Sequence, residues 1–375
     1  MNFSYWEHKT WLSNIDFAII GSGIVGLSCA LLLREKHAKA KIVVFERGIL
    51  PSGASTKNAG FACFGSTSEI LDDLTTHSEE EIVELVTNRV EGLTLLRKSL
   101  GDKTIDFQQN GGYELFTRND EALYENCLEK VGHVNHLLKN VFSSEKDVFS
   151  IKNDPFSFKN LQKKVIFNEF EGQIDTGKMM RALIQKCAKN DIFIINSVEI
   201  TSFSPQNDQI SLVLNNLTEI LVKQLFIATN GFAKQLLGQD IRPARAQVLI
   251  TKPIENLKIK GTFHLDKGYY YFRNIDDRIL LGGGRNLDLK NEETSQMGLT
   301  QLIQNRLEEI LSTTILPETP FEIDTRWSGI MGVGAQKKAI VKELAPNVYC
   351  GVRLGGMGVA IGSSIGKQLA ELAWA

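Results

Sequence analysis

The sequence has few cysteines, no excess of either charge and no long apolar run. Its five cysteines stand singly, without the paired spacing of a disulfide framework or a zinc site, so we expect a cytoplasmic protein that binds no metal. The formal net charge of −2 gives no electrostatic reason to expect a nucleic-acid partner. No stretch approaches the roughly 20 apolar residues of a membrane-spanning helix, and the N-terminus lacks the apolar segment of a signal peptide.

The overall composition is that of an ordinary globular protein. Of the 375 residues, 43% are hydrophobic and 23% are charged. The length suffices for about two domains, and no internal repeat is visible.

The most informative stretch covers residues 17–46. An apolar strand, Ile15–Ile20, leads into the glycine run G-S-G-I-V-G at residues 21–26, an apolar-faced helix and a second strand, Ile42–Phe45. This is the pattern of a dinucleotide-binding βαβ unit, in which a pyrophosphate lies at the N-terminus of the helix. The acid at Glu46 follows 20 residues after the last glycine, the separation expected for a carboxylate that binds an adenosine ribose.

Each glycine of this unit has a physical task. Gly21 allows a tight turn, Gly23 lets the pyrophosphate approach the backbone, and Gly26 lets the helix pack closely on the strands. The unit alone leaves NAD and FAD both possible. Its candidate cofactor contacts are Gly21, Ser22, Gly23, Ile24, Gly26, Glu46 and Arg47.

The rest of the chain interleaves helix and strand patterns. Apolar residues at helical spacing predict helices over residues 78–100, 120–140, 178–190, 294–312 and 363–373. Strand patterns occupy residues 112–117, 192–195, 209–214, 219–228, 245–250, 268–284 (a hairpin turning at 274–277) and 348–351. Residues 51–65 form a loop rich in small residues, and residues 143–164 are polar and weakly patterned.

Four further segments carry a family resemblance when they are added to the glycine run. They are the Glu46-Arg47 pair, the loop G-A-S-T-K-N-A-G at residues 53–60, A-T-N-G at 228–231 and G-G-M-G-V-A-I-G at 355–362. Together they resemble the D-amino-acid oxidase and glycine oxidase superfamily of flavoproteins. The opening S-Y-W-E, residues 4–7, is also similar to its γ-glutamylputrescine oxidase-like branch. The resemblance covers most of the chain and matches best at its two ends.

The resemblance implies FAD rather than NAD, because it supplies flavin-contacting segments late in the chain. The fold it implies is α/β (α+β), a Rossmann-like FAD-binding domain interleaved with a substrate domain built on a mixed, largely antiparallel sheet. We assign residues 1–80, 165–240 and 322–375 to the FAD-binding domain. Residues 81–164 and 241–321 are assigned to the substrate domain.

Further cofactor contacts follow from the resembling segments. The loop at 53–60 can bring Ser, Thr and Asn donors to the pyrophosphate and ribityl hydroxyls, and the resemblance places the backbone N–H and C=O of Val198 beside the adenine. The glycines at 355–358 would bring N–H groups to the flavin C2 carbonyl, and the following helix dipole would stabilise the reduced ring. These candidates are Ala54, Ser55, Thr56, Asn58, Ala59, Gly60, Val198, Thr229, Gly231, Gly355, Gly356, Met357, Gly358 and Val359.

Three departures from relatives limit what the resemblance implies. Sarcosine oxidases tether flavin through a cysteine near the position of Gly329, and dimethylglycine dehydrogenase relatives use a histidine near that of Asn58. Because neither nucleophile is present, we expect non-covalent FAD. Residues 279–281 also lack the lysine that sarcosine oxidases use to activate oxygen, so the electron acceptor stays open between oxygen and another compound.

The substrate side of the resemblance is incomplete. Glycine-oxidase-like enzymes carry W-A-G-L-R-P at the segment resembling residues 327–332, and its arginine grips the substrate carboxylate. Here that position is Met331, so Arg273, Arg326 or Arg353 would have to reach a carboxylate from another direction.

Three consecutive tyrosines supply the remaining substrate candidates. Tyr269 and Tyr271 share one side of a strand and Tyr270 takes the other, so the first two can line the substrate cavity. The candidate catalytic residues are therefore Tyr269, Tyr271, Arg273, Arg326 and Arg353.

The predicted function is FAD-dependent oxidation of a C–N bond in a small-molecule amine or amino acid, by hydride transfer to flavin N5. Positioning and desolvation would supply most of the catalysis. None of the six histidines lies in a flavin motif, so they are interpreted as surface or packing residues: His8, His37, His77, His133, His136 and His264.

Two alternatives stay open. One is an FAD-dependent 2-hydroxyacid or polyol dehydrogenase, which normally needs a base such as histidine near N5. The other is a flavin-binding scaffold without catalysis, which the missing carboxylate arginine would fit. The sequence predicts no oligomeric state.

Overall fold

The structure, a computed structural model, describes residues 3–142, 144–156, 158–238 and 240–374. Its strands are β1 Ile15–Ile20, β2 Ile42–Phe45, β3 Phe61–Ala62, β4 Gly112–Glu114, β5 Phe149–Asn153, β6 Lys164–Asn168, β7 Gly172–Gln173, β8 Phe193–Ile195, β9 Ile200–Gln206, β10 Gln209–Leu214, β11 Thr218–Ile227, β12 Arg242–Thr251, β13 Thr262–Leu265, β14 Tyr270–Ile275, β15 Arg278–Gly283, β16 Ile323–Val333, β17 Ile340–Ala345 and β18 Val348–Val352. Its α-helices are α1 Tyr5–Glu7, α2 Ile24–Lys36, α3 Ala54–Lys57, α4 Thr67–Asp73, α5 Glu79–Leu100, α6 Asp102–Ile105, α7 Glu121–Leu138, α8 Thr176–Lys189, α9 Gln301–Ile310 and α10 Gly358–Glu371. Five short 3₁₀ or π turns among the described residues span His8–Leu12, Asn230–Gln235, Arg285–Leu287, Leu311–Ile315 and Leu372–Trp374.

The first large sheet has the order β17-β18-β11-β1-β2-β8, and β9 and β10 extend from β11 as an antiparallel meander. Its central strands β18, β11, β1, β2 and β8 are parallel. All four residues of β2 are buried, the continuous apolar run that is typical of a parallel strand covered on both faces. Helices α2, α8 and α10 contribute to the core on one face, and the meander to the core on the other.

The second large sheet has the order β16-β12-β15-β14-β13-β4-β6-β5 and is antiparallel except at β13 and β4. Its hairpin β14–β15 turns at Asp276 and Asp277, whose φ angles of 47° and 56° are left-handed, as a two-residue hairpin turn requires. Phe263 and Phe272 stack at 4.4 Å in the core beneath it, to which α9 also contributes.

The long helix α5 contributes buried residues to two of the hydrophobic cores. It starts where local chemistry predicts, because Ser78 and Glu81 form a capping box and three acids occupy its first turn. It packs closely on α10, since a Cβ at Gly92 would lie 2.2 Å from the carbonyl oxygen of Ala360.

Several elements differ from the sequence prediction. The helix expected over 294–312 is α9, which begins only at Gln301, and the last helix begins earlier than expected, at Gly358. The stretch 143–164 contains β5 and the start of β6, although residues 143 and 157 lie outside the described residues. Residues 327–333, which received no secondary-structure prediction, belong to the eleven-residue strand β16.

The α/β fold with a mixed second sheet is confirmed, and the division into domains stays a prediction. Strands β6 and β16 pair within the second sheet, whereas the predicted boundaries assign them to the FAD-binding segments. Among the helices of the described residues, none combines the length and the apolar character needed to cross a membrane.

Candidate functional site

A cavity of about 830 Å³ lies between the two large sheets. We call its two sides the floor and the roof. The floor comprises residues that follow the carboxyl ends of β1, β2, β11 and β18, the edge at which α/β sheets bind ligands, together with the starts of α2 and α10: Gly21, Gly23, Ile24, Glu46, Thr229, Gly355, Gly356 and Gly358. The roof comprises residues of the second sheet and of the turn before β14: Ala246, Val248, His264, Tyr269, Tyr271, Gly329 and Met331. Tyr269 lies in that turn and also packs against the core that contains Tyr270, which corrects the expectation that it alternates with Tyr270 on a strand.

The glycine turn of the floor is built by close backbone contacts. Gly21 has a φ of 103°, and a Cβ at Gly26 would lie 2.0 Å from the carbonyl oxygen of Gly21. Gly26 therefore has a packing role and does not line the cavity. At the start of α2 the N–H of Ile24 donates to Ser55 Oγ at 3.0 Å, so a helix N-terminus and a hydroxyl meet where a pyrophosphate would bind.

Glu46 is buried and already accepts four hydrogen bonds. Ser22 donates its N–H at 3.2 Å and its hydroxyl at 2.8 Å, while the Gly48 N–H and the Ser52 hydroxyl donate at 2.9 and 3.1 Å. A carboxylate has about four acceptor positions. A ribose hydroxyl must therefore replace one of the two rotatable serine hydroxyls. Ser22 itself is fully buried and does not line the cavity.

The predicted loop at 53–60 is a short helix, α3, followed by a turn. Ala54, Ser55, Asn58 and Ala59 line the cavity, whereas Thr56 and Gly60 do not. The Thr56 hydroxyl donates to backbone carbonyls of the loop. The Asn58 side chain is used within the turn, since its Oδ1 accepts from the Gly60 N–H at 2.8 Å.

Val198, Thr229 and Arg47 also line the cavity. The Val198 N–H donates to the Glu46 carbonyl at 2.9 Å, which corrects the expectation that this N–H is available to an adenine; its carbonyl is the remaining candidate ligand. Thr229 Oγ1 is buried without a hydrogen-bond partner, an orphan that a cofactor hydroxyl or phosphate can satisfy. Arg47 stacks 3.6 Å above the ring of Phe232.

The C-terminal glycine segment opens directly onto the cavity. A Cβ at Gly355 or Gly358 would meet no atom within 4 Å, although both residues line the cavity, as do Gly356, Met357 and Val359. Gly231 does not, because it packs against the backbone of Met331. The Gly355 N–H donates to the Gly332 carbonyl at 2.9 Å, which corrects the expectation that this N–H is available to a flavin. The first N–H groups of α10 have no partner within the helix and are the remaining candidates.

The roof is organised by strand register. Directly paired residues place Trp327, Val248, Gly282, Tyr271 and His264 in one row across β16, β12, β15, β14 and β13, and paired residues share a face of the sheet. A Cβ at Gly282 would lie 2.6 Å from the Tyr271 ring, so this glycine makes room for that ring. Tyr270 points into the core on the other face.

The three arginines named as carboxylate candidates are held elsewhere. Arg273 donates to the carbonyls of Ala59 and, at 3.0 Å, Ile174, and burial lowers its pKa to about 10. Arg326 pairs with Glu308 at 2.8 Å on the α9 side. Neither lines the cavity. Arg353 does, but its guanidinium pairs with Asp240 at 3.1 Å and donates to the Lys338 carbonyl.

His264 is a functional candidate that the sequence interpretation missed. It is a buried residue of the roof, and its Nε2 lies 3.0 Å from Glu171 Oε2. Burial lowers the pKa of His264, but the charge and hydrogen bond of Glu171, with Glu69 and Glu114, outweigh it and raise the pKa to about 9. The ring is therefore protonated at neutral pH.

The signal that could have indicated these residues is not local. Glu171 and His264 are 93 residues apart in the chain, so no short motif contains both. Arg89 and Arg285 also line the cavity and were not predicted. Arg89 shares the buried face of α5 with Ile82, Val86, Leu93 and Leu96, and a charged residue among apolar positions at helical spacing is a recognisable exception.

Cys63, Glu171 and His264 also form a possible ligand cluster, with one ligand atom of each within 4.8 Å of the others. Burial, with the nearby charges of Glu171 and Glu69, raises the pKa of the Cys63 thiol well above its usual range. A neutral thiol is a poor metal ligand. The hydrogen bond between Glu171 and His264 accounts for the other two groups, so the expectation of no metal stays a prediction.

Comparisons with known proteins agree with this architecture. A family model described as FAD dependent oxidoreductase (DAO) matches residues 16–372. The probable oxidoreductase OrdL of Haemophilus influenzae is 20% identical over 405 residues, covering 99% of this chain and 89% of that protein. The structure of L-proline dehydrogenase from P. horikoshii matches with a TM-score of 0.75 at 17% identity, covering 96% of this chain and 93% of the other. Glycine oxidase from Bacillus cereus matches with a TM-score of 0.70 at 17% identity, covering 96% and 94%.

Proposed function

The chain belongs to the DAO family of FAD-dependent oxidoreductases, and we propose that it oxidises the C–N bond of an amine or amino acid. The superfamily and the cofactor expected from the sequence are confirmed, whereas the γ-glutamylputrescine oxidase-like branch stays a prediction. The floor residues fit FAD, since they combine an open glycine segment, a helix N-terminus and the orphaned Thr229 hydroxyl.

The observation that carries the proposal is that the roof offers no neutral base, since the surrounding carboxylates raise the pKa of His264 to about 9. Ala246, Val248, Gly329 and Met331 offer no titratable group, and burial raises the pKa of the Tyr271 phenol to about 12, so it stays neutral. Bound FAD supplies an acceptor for two electrons and a proton as hydride. The chain's own task is to hold the substrate carbon against it and to exclude water, which suits an amine delivered in its neutral form.

The position of His264 favours the alternative function, oxidation of the C–O bond of a hydroxyacid or polyol. His264 lines the cavity, and Glu171 orients it as a partner orients a catalytic base. However, a ring whose pKa is about 9 is already protonated at neutral pH and cannot accept a proton from an alcohol. We therefore rank oxidation of a hydroxyacid or polyol second.

Arg285 favours an amino acid over a simple amine. It lines the cavity and follows Gly284, whose N–H donates to the Tyr269 carbonyl at 2.9 Å. Among the described residues its guanidinium has no hydrogen-bond or ion-pair partner, unlike Lys267 and Lys337, which pair with aspartates at 2.6 Å. An unpaired guanidinium that lines a cavity is suited to bind a carboxylate in a fork geometry.

The test is anaerobic mixing of the FAD-loaded protein with amino acids of both chiralities, the matching amines and 2-hydroxyacids. We expect loss of the oxidised flavin absorbance with at least one amine or amino acid. Reduction by hydroxyacids alone would support the second candidate. If dithionite reduces the bound flavin but none of these compounds does, the result would support a non-catalytic scaffold.

A further inference from the structure

Arg89 is a buried cation without a counter-charge. Only 5% of its surface is exposed, and it lines the cavity from α5. Its Nη1 donates to the Phe64 carbonyl at 2.5 Å, but its Nε is buried without any partner. No carboxylate of the described residues forms an ion pair with it. Burying an unpaired charge is costly, so such a group is normally paired or functional.

Three buried acids in the described part of the chain have a basic partner. Glu292 pairs with Arg245 at 2.7 Å, Asp73 with Lys337 at 2.6 Å, and Glu171 with His264 at 3.0 Å. These pairs account for their own charges within the protein. Arg89 lacks this compensation. The other buried arginine without an ion pair among the described residues, Arg273, donates to two backbone carbonyls and does not line the cavity. Of these two, Arg89 is therefore the one whose counter-charge can come from what the cavity binds.

The position of Arg89 connects it to the C-terminal glycine segment. A Cβ at Gly65, whose φ is 109°, would lie 2.8 Å from Arg89 Nη1. Cys63, two residues earlier, places its Sγ 3.6 Å from the Met357 Sδ. One turn beyond Arg89, Gly92 packs against Ala360 in the first turn of α10. Arg89 thus lies between the Cys63–Gly65 segment and the turn that opens onto the flavin part of the cavity.

We propose that Arg89 supplies the positive charge that balances the negative charge of the reduced flavin ring. A cation in a low-dielectric site stabilises a nearby anion far more than it would in water. Arg89 would therefore act together with the N-terminal dipole of α10 to favour the reduced state. The proposal requires bound FAD but is independent of which substrate is oxidised, so it can succeed or fail separately from the proposed C–N oxidation.

The test compares Arg89→Gln with Arg89→Lys in the FAD-loaded protein without substrate. Glutamine can still donate to the Phe64 carbonyl but removes the charge, whereas lysine keeps the charge. Arg181→Gln makes the same change at an exposed arginine of α8 and serves as the control. Two quantities are measured: the two-electron midpoint potential of FAD, and the affinity for inorganic sulfite, which adds reversibly to oxidised flavins and leaves the ring anionic.

We expect Arg89→Gln to weaken sulfite binding roughly tenfold or more and to lower the midpoint potential by about 30 mV for each tenfold change in the equilibrium. Arg89→Lys should retain most of both properties, and Arg181→Gln should change neither. An unchanged potential in Arg89→Gln would overturn the proposal. So would equal losses in the lysine and glutamine variants, because these would indicate a packing role.

Two further outcomes also decide the matter. If the glutamine variant does not retain FAD, the test is made on the wild-type protein. The proposal requires that wild-type protein forms a sulfite adduct, and the absence of an adduct would refute it. If the potential is unchanged but the apparent affinity for benzoate falls in Arg89→Gln, the counter-charge of Arg89 is a substrate carboxylate and the flavin assignment is wrong.

Discussion

The floor and the roof of the cavity are built in different ways. The floor uses mainly backbone groups, and its first part, from Gly21 to Glu46, is contained in one βαβ unit. The roof uses residues from four strands, β12, β13, β14 and β16, and only strand register brings Val248, Tyr271 and His264 into one row. A backbone site leaves a local glycine pattern in the sequence, whereas a side-chain site assembled across a sheet leaves none.

The two sides should also respond differently to substitution. A floor that works through close backbone approach cannot accept a Cβ at its tightest points. In the roof, replacing one side chain should leave the strands in place but change the groups that the cavity presents to a substrate. Floor substitutions should therefore affect folding and FAD retention, and roof substitutions should mainly affect substrate selection.

The largest effect is expected for Gly26→Val. The new Cβ would lie 2.0 Å from the Gly21 carbonyl oxygen, and this backbone cannot move without opening the turn that we expect to hold the pyrophosphate. We expect a loss of at least about 3 kcal/mol of stability and no retained FAD. Thermal unfolding and the ratio of flavin to protein absorbance measure both.

Gly132→Ala is the matched control for Gly26→Val. Gly132 is an exposed position in α7, and a Cβ there would meet no atom within 4 Å. Alanine should raise stability by roughly 0.5–1 kcal/mol, because it restricts the unfolded chain and favours the helix. Full FAD retention by Gly26→Val would contradict the backbone account of the floor.

The next effect is expected for Glu171→Gln beneath the roof. Removing the partner of a buried, protonated His264 should cost roughly 3–5 kcal/mol. The pKa of His264 is raised in the folded protein to about 9, against about 6.5 in the unfolded chain. The stabilisation is therefore fully present below pH 6.5 and is lost as the pH rises through 9. In urea unfolding measured from pH 6 to 9.5, the difference in the free energy of unfolding between wild type and variant should shrink as the pH rises.

Glu169→Gln tests whether burial is responsible for that cost. Glu169 pairs with Lys146 at 3.0 Å, but both side chains are substantially exposed, so the change should cost less than about 1 kcal/mol. If the difference in the free energy of unfolding between wild type and Glu171→Gln grows with pH, His264 is neutral in the folded protein. It would then again be a candidate catalytic base.

This contrast explains what the sequence could and could not predict. Gly21, Gly23 and Glu46 were identifiable because the turn, the helix start and the acid lie at fixed separations. Strand β16 was not, because Gly329 and Gly332 interrupt its apolar pattern, and the glycines are needed for close approach to Lys57 and to the Asn230 side chain. His264 was missed because its meaning depends on a glutamate far away in the chain.

A smaller effect, confined to the substrate, is expected for Arg285→Met. If Arg285 binds a carboxylate, its loss should lower kcat/KM for an amino acid roughly 10- to 100-fold, the value of a hydrogen bond to a charged group. The matching amine without the carboxylate should be unaffected. FAD retention should stay the same, as it should in the exposed control Arg118→Met. Equal losses for amino acid and amine would show that Arg285 shapes the cavity instead.

The smallest effect is expected for Val198→Ala, because this floor position acts through its backbone. The Val198 N–H donates to the Glu46 carbonyl at 2.9 Å, and alanine keeps both that donor and the carbonyl that we expect to bind the adenine. The side chain is only partly buried against the core, so stability should fall by about 1 kcal/mol. FAD affinity, measured by fluorescence titration of the apoprotein, should change less than about threefold. A tenfold loss of FAD affinity would mean that the valine methyl groups themselves contact the adenine. At this position the floor would then contact its ligand through a side chain, as the roof does.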